Sequence, residues 1–322
     1  EYSNNFRIES TNSRPAVQHL FGPTSLAGAA LTSFQYFGNP YAAGTVLYDN
    51  VDGFFRTALT QRHNLAFSGA SPDNTLNYRL AFSADKQAGV IPNADYSRIN
   101  LTGSSQAQVN SWLKTDLSVA FANVDNHQSY KGDAGPLIGL LLWPSTDNAK
   151  DYLTPAGNRR RLTALAQSTE VDNPYFNVQK NINNSKNTRL MLNVGFTLTP
   201  FSWGRLKTNI GVDGYTNENN ILRHSESAVG FTNNGVLDLA NDVTRNINAQ
   251  TLLNINPVAL TEDLSIYGFV GHAISDAKST VEALQGQNFL DPNFVSINNT
   301  LFKTNRTTLT QRRLVSAFGS AT

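Results

Sequence analysis

The chain has 322 residues, a net charge of +1, 15% charged residues and no cysteine. Near-neutrality excludes a general electrostatic pull on nucleic acid or acidic lipid, and no nucleic-acid partner is expected. The missing thiols exclude disulfides and thiolate metal centres.

The polar load falls on 38 asparagines and on many Ser, Thr and Gln, residues suited to turns, loops or a wetted face. No apolar run reaches the roughly 18–20 residues of a membrane helix; the longest, Pro136 to Trp143, is far too short. Glu1-Tyr2-Ser3-Asn4-Asn5 has neither the basic start nor the apolar core of a signal peptide, so the export signal of an exported protein would lie upstream.

In chain order, Tyr2, Phe6 and Ile8 alternate with Ser3, Asn5, Arg7 and Glu9, which predicts a strand. Residues 10–58 carry Gly22-Pro23 and Gly38-Asn39-Pro40 and read as a long irregular excursion with one short helix. His63 to Gly69, a break at Ser71-Pro72-Asp73-Asn74, and the run Thr75 to Asp85 form a hairpin. In that run Leu76, Tyr78, Leu80, Phe82 and Ala84 share one face, and Asn77, Arg79, Ser83 and Asp85 share the other. Such alternation marks a strand with one greasy and one wet side. Its length fits the roughly 9–11 residues a tilted strand needs to cross a bilayer.

Further strands are expected at 97–108, 113–123, 188–199, 205–216, around 246–255 and at 264–275. The last of these has poorly distinguished faces, because Tyr267 and Phe269 interleave with Ile266 and Val270. A final strand carries Leu314, Ser316 and Phe318.

Connections alternate in length: short at 71–74, 109–112, 200–204 and 256–263, longer at 10–58, 89–96, 125–186, 217–243 and 276–311. Short turns on one rim and long loops on the other characterise outer-membrane barrels. Arg79, Asp85, Arg98, Lys114, Asp116, Arg189, Lys207 and Asp213 all fall on the polar face of their strands. An Arg or Lys facing lipid near the midplane would cost about 2–4 kcal/mol. Trp112 and Trp203 sit at short turns, where an interfacial aromatic girdle would place them. A Trp covering the end of a soluble core is the plainer alternative. A soluble β-sandwich shares the alternation, but strand length and one-sided loops favour an all-β, antiparallel transmembrane barrel segment.

His63-Asn64-Leu65, Phe67-Ser68-Gly69, Asn77-Tyr78-Arg79-Leu80, Gln87-Ala88-Gly89-Val90-Ile91, Tyr96-Ser97-Arg98 and Trp112-Leu113-Lys114 together resemble SusC/RagA-type TonB-dependent transporters. Phe54-Phe55-Arg56-Thr57-Ala58, Asn173-Pro174-Tyr175 and Phe201-Ser202-Trp203 are similar to the same family. The resemblance covers most of residues 50–215 and the remainder by strand rhythm. It implies a barrel of roughly 22 strands with an N-terminal plug, a Ton box engaging the TonB–ExbB–ExbD complex, and a SusD-like surface lipoprotein as lid. It also implies a cell outer-membrane location of Bacteroidetes type, contact with outer-membrane lipids, and an oligosaccharide or peptide substrate. Within residues 1–322 neither a plug nor a Ton box is visible, and about ten strands are expected. Residues 1–322 are therefore expected to be part of a longer polypeptide that holds the plug and the C-terminal barrel strands.

No catalytic chemistry is legible. The histidines at 19, 63, 127, 224 and 272 lack metal-ligand spacing, and no phosphate loop, dinucleotide turn or nucleophile elbow is present. Asp49-Asn50-Val51-Asp52-Gly53 reads as a polar turn rather than a calcium loop. No cofactor and no enzymatic activity are expected.

The 125–186 loop is the best place for ligand contacts, because loops on a rigid scaffold are free to carry function. Tyr130, Trp143 and Tyr152 offer flat faces for sugar rings or peptide side chains, with Asp147, Arg159 and Arg160 as polar partners. Packing of the Leu137–Trp143 patch, or its docking on the lid, competes with that reading, and Arg159 to Arg161 also read as a solvated run or a contact to anionic lipopolysaccharide. Asn77, Arg79, Asn100, Asp116, Asn193, Asn209 and Asp213 are expected to line a wet lumen and touch the plug. The alternative function is that of a soluble or surface-exposed all-β glycan-binding protein.

Overall fold

The alternation that begins at Tyr2 is carried across the chain into one antiparallel sheet. This is seen in a computed structural model, which describes residues 1–24, 26–27, 30–31, 33–162, 170–259, 261 and 265–321. The strands are β1 (Tyr2–Glu9), β4 (Ala58–Ala70), β5 (Leu76–Ala88), β6 (Asp95–Asn110), β7 (Leu113–His127), β8 (Ile182–Phe201), β9 (Gly204–Arg223), β10 (Val236–Ala259), β11 (Ser265–Phe289) and β12 (Thr300–Ala321). They lie in the order β1-β4-β5-β6-β7-β8-β9-β10-β11-β12. Two-residue strands β2 (Leu26–Ala27) and β3 (Ala30–Leu31) pair separately. Short helices α1 (Asn50–Phe54), α2 (Pro136–Leu142) and α3 (Pro174–Lys180) occur only in the long connections. The sheet is not closed; β1 and β12 are its edges. The fold is therefore all-β, consistent with part of a barrel.

The short turns carry their own chemistry. At Ser71–Thr75 the Asp73 carboxylate accepts from the Ser71 hydroxyl at 2.5 Å, the Thr75 hydroxyl at 2.9 Å and the Thr75 amide at 3.2 Å. Those bonds hold its carboxyl below the usual range. Asn74 takes the left-handed conformation, φ 56°, which Asn tolerates better than most residues. Pro72 presets the turn.

Two expected loops are strand. Residues 217–223 continue β9, residues 236–243 begin β10, and β11 and β12 fill most of 276–311, leaving connections at 224–235 and 290–299. Just beyond the apolar stretch both faces turn polar at Asn217, Asn219, Asn220, Asn241 and Asp242, which interrupts the hydrophobic period before Leu222, Leu237 and Leu239 pack near the loops, while the backbone ladder continues. The break expected at 256–263 and the strand start at 264 fall partly on positions outside the described residues.

The register sorts the faces. All eight charges from Arg79 to Asp213 lie on one side of the sheet, opposite Leu80, Phe82, Leu101, Phe121, Leu190 and Val212. On β11, Val270 and Ile274 join the apolar side and Phe269 the other. On β12 the apolar side takes Val315. Leu314, Ser316 and Phe318 fall on the polar side, where Phe318 lies over Gly271 so closely that a Cβ there would meet its ring at 2.5 Å.

The apolar side carries no second layer among the described residues: Leu76 is 40% exposed, Leu80 51% and Phe82 40%. It forms a band with a straight edge. Read away from the short turns, the apolar run ends at Ile99, Phe121, Leu190, Val212, Ile247, Ile274 and Val315 on β6 to β12 in turn. The direct cross-sheet partners of Ile99 are Asn123, Thr188, Thr216, Val243, Thr280 and Leu309. The edge thus slides from position 309 to 315 over six strand steps, one residue per strand. With about 3.3 Å per residue and about 4.8 Å between strands, a level edge requires strands inclined about 35° to the band normal. On β8 the band from Leu190 to Leu198 is then about 22 Å high. Ser105, Thr115, Thr208, Thr251 and His272 interrupt it, and Thr208 and Thr251 bond each other at 3.2 Å.

Candidate functional site

Two surfaces carry polar chemistry: the charged side of the sheet, and the loop cluster at the rim away from the short turns. On the sheet, cross-strand pairs neutralise some of the charge, and neutral amides hydrogen-bond part of the rest. Arg189 holds Asp213 through two bonds of 2.8 Å, and Arg62 pairs with Asp85. Gln106 donates to Asp116 at 2.7 Å, Arg98 to Asn100 at 2.8 Å, and Asn100 to Ser83 at 2.9 Å. Asn77, Arg79, Asn100, Asp116, Asn193, Asn209 and Asp213 share this side by register. Shallow depressions run between Arg79, Ser104, Ser118, Asn193 and Asp116. Trp112 and Trp203 stand at the 111–112 and 202–203 turns on the opposite rim from the loops, 44% and 48% exposed, with Phe201 stacked on Trp203 at 5.5 Å.

The loop cluster is built on asparagine. Asn173 caps α3 by accepting from Tyr175 and Phe176 amides at 2.8 and 3.1 Å, and donates to Ala149 O at 2.8 Å. Asn50 donates to the carbonyls of Pro144 and Asp147 and accepts from the Ala149 amide. Asn181 joins Ser227, whose hydroxyl donates to Asp172 at 2.5 Å. These buried amides lock the 128–181 connection to the 224–235 connection and to α1. A small apolar core of Val51, Phe54, Leu140 and Val178 sits among them.

The six loop residues singled out from sequence do not form one open site. Trp143 is 4% exposed, its indole N–H donating to Asp147 at 2.9 Å. The same carboxylate takes Arg160 at 2.6 Å, and Arg160 also donates to the Asp151 carbonyl. Arg159 is buried, with Glu170 at 3.2 Å, Asp172 at 3.5 Å and the Phe176 ring beneath it. Trp143, Asp147, Arg159 and Arg160 are thus engaged in holding the loop together; for Trp143 this is the packing alternative, and for Arg159 it replaces the solvated run, since that side chain is buried against Glu170 and Asp172. Tyr152 is half-buried and stacks on Tyr175. Tyr130 directs its hydroxyl to the carbonyls of Ile182 and Leu222 at 3.3 and 3.2 Å, and burial pushes its pKa up to about 12.

Burial also raises the Glu170 carboxyl, against the opposing pull of Arg159 and Arg161, and depresses the His224 imidazole. Nothing in the sequence marks Asn50, Asp172, Asn177, Asn181 and Ser227 as staples of this cluster. Only Asn173-Pro174, a cap followed by Pro at the first helical position, carried a local signal.

No protein-family pattern and no curated protein matches this chain. Solved structures do. A structure of the RagAB peptide importer in the closed-closed state matches with a TM-score of 0.64 at 15% identity, over 99% of this chain and 39% of that chain. The open-open state gives 0.62 at 15% identity over the same shares. A structure of the RagAB peptide transporter gives 0.60 at 16% identity, over 85% of this chain and 31% of that chain. The fold is therefore that of part of these transporter chains, and this chain spans about two-fifths of their length or less.

Proposed function

We propose that the chain is an arc of a TonB-dependent importer barrel of the SusC/RagA type in a Gram-negative outer membrane, serving the uptake of oligosaccharides or oligopeptides. The observation that carries this is the exposed apolar band. Its level edge across strands inclined about 35° is what a flat hydrocarbon slab imposes on a tilted barrel. A soluble glycan-binding sheet would need a second layer over Leu80, Phe82 and Leu190, and these side chains are exposed.

In this reading Asn77, Arg79, Asn100, Asp116, Asn193, Asn209 and Asp213 line the wet interior and meet a plug. Trp112 and Trp203 lie in the periplasmic interface. The loop cluster faces outward, where Tyr152 and Tyr130 remain the aromatic candidates for solute contact and a SusD-like lipoprotein would dock. The unpaired edges of β1 and β12 need further strands, because each unsatisfied backbone group in hydrocarbon costs several kcal/mol. More polypeptide would supply those strands, the plug and the contact with TonB–ExbB–ExbD.

The test is uptake of labelled oligosaccharides and oligopeptides by cells carrying the whole protein, with and without the energy-coupling complex. Uptake that depends on that complex is expected. Uptake indifferent to it, or recovery of the protein without detergent, would overturn the reading.

A further inference from the structure

Charge returns to the apolar side of the sheet just past the level edge of the band, and it does so on three strands only. On that side the first residue beyond the edge is Ser97 on β6, Asn123 on β7, Thr188 on β8 and Gly214 on β9. On β10, β11 and β12 it is Arg245, Asp276 and Arg313, and Lys278 follows on β11. Three cations thus stand around one carboxylate. The next carboxylates on this side of β9 to β12, Glu218 and Glu282, share a row four residues nearer the loops, about 13 Å away.

Asp276 sets the positions of the two arginines. It is buried, and one of its oxygens accepts from Gln311 and from Arg313, each at 3.2 Å, while Arg245 stands 3.7 Å from the other. The arginine side chains nevertheless remain 54% and 64% exposed, with most of their five N–H donors unused. Lys278 lies directly across from Arg245 and makes no ion pair or hydrogen bond among the described residues. Like charges directly opposed on a sheet destabilise it. Asp276 offsets one of the three cations, and an anion seated between them would relieve the remaining repulsion.

Guanidinium forks match phosphate in two-bond geometry. Next to the cations, Ile247, Ile274 and Val315 begin the apolar band. A ligand with an anionic head and acyl chains meets its complement twice here, whereas a free anion would use only the charged half.

We propose that Arg245, Lys278 and Arg313 bind the phosphate head of an anionic lipid of the outer leaflet, its chains lying along β10 to β12. The proposal rests on the importer reading only in taking the band as the lipid-facing surface.

The experiment titrates the whole protein, in micelles of a neutral detergent, with diphosphoryl lipid A and reads binding by native mass spectrometry. Saturable binding is expected, weakened about fivefold by Lys278→Gln and by Arg313→Gln. Arg312→Gln, on the opposite side of β12, should leave it unchanged. Lys278→Gln breaks no ion pair or hydrogen bond among the described residues, so it reports even where Arg313→Gln fails to assemble. Equal binding of dephosphorylated lipid A, or binding undiminished in both variants, overturns the proposal and leaves acyl contact alone. Displacement by an equal concentration of inorganic phosphate overturns the lipid assignment in favour of a free anion. Absence of lipid A binding alongside coupled uptake would sink this site alone. Headgroup binding without coupled uptake would sink the import and spare the site.

Discussion

The slab geometry makes a prediction that register alone would not. Val194 on β8 and Val315 on β12 belong to one cross-sheet row, through Ile210, Ala249 and Ile274. On β8 the apolar run extends from Leu190 to Leu198, which puts Val194 at its centre. On β12 the run stops at Val315, with Arg313 next on that face. An arginine costs about 2–4 kcal/mol at the midplane and about 0–1 kcal/mol near the interface. Val194→Arg should therefore destabilise the barrel by about 3 kcal/mol and Val315→Arg by no more than about 1 kcal/mol. Asn193→Arg, one residue from Val194 but on the polar side between Ser118 and Gly211, should stay within the roughly 0.5 kcal/mol typical of a tolerated surface change.

The measurement is denaturant unfolding of the whole protein refolded into lipid vesicles, followed by the heat-modifiable electrophoretic shift. Equal costs at 194 and 315 would mean that the apolar band follows the rows instead of crossing them. The tilt, and the slab argument built on it, would then be wrong. A cost at Asn193 matching that at Val194 would refute the assignment of faces.

Three further outcomes follow from the loops and turns. Burial holds the His224 pKa below its ordinary 6.5, so the unfolded loop binds the proton more tightly and stability is lost as pH falls below that value. Amide exchange at Ser227 and Phe231, corrected for intrinsic rate, should accelerate on acidification below about 6.5 and lose that pH dependence in His224→Gln. Asn173→Ala removes the α3 cap and the bond to Ala149 at a fully buried position. A loss of about 1–3 kcal/mol in local protection of residues 173–181 is expected by hydrogen exchange, and unchanged protection would show the amide to be dispensable. At Asn74, φ 56°, Gly should be accepted while Val should slow or reduce barrel assembly by strain of about 1–3 kcal/mol; indifference to Val in a refolding assay would remove the turn argument.

What could be read from residues alone tracks where the physics is local. Alternation betrayed β5, β7, β8 and β9 because an apolar and a wet side impose opposite demands on successive side chains. The same cause sets the limit: just above the band edge both faces are wet at Asn217 to Asn220 and at Asn241 and Asp242, which read as loop although the ladder runs on. Tilt was invisible to any single strand, since it lives in the offset between neighbours and needs register. The loop residues are ambiguous in sequence for a related reason. Trp143 and Arg159 look like ligand groups by type, but an indole N–H and a guanidinium near carboxylates are also the strongest staples a loop can have. Which role each takes depends on Asp147, Glu170 and Asp172 being close in space. Asparagine reads by type as a turn former, yet buried Asn50, Asn173 and Asn181 bond carbonyls and amides of distant segments. An amide that donates and accepts without charge can bind loops in a dry interior at little desolvation cost once paired. This chain's preference for asparagine over charge is thus one solution to two problems, a wet face inside the sheet and a rigid cap at its rim.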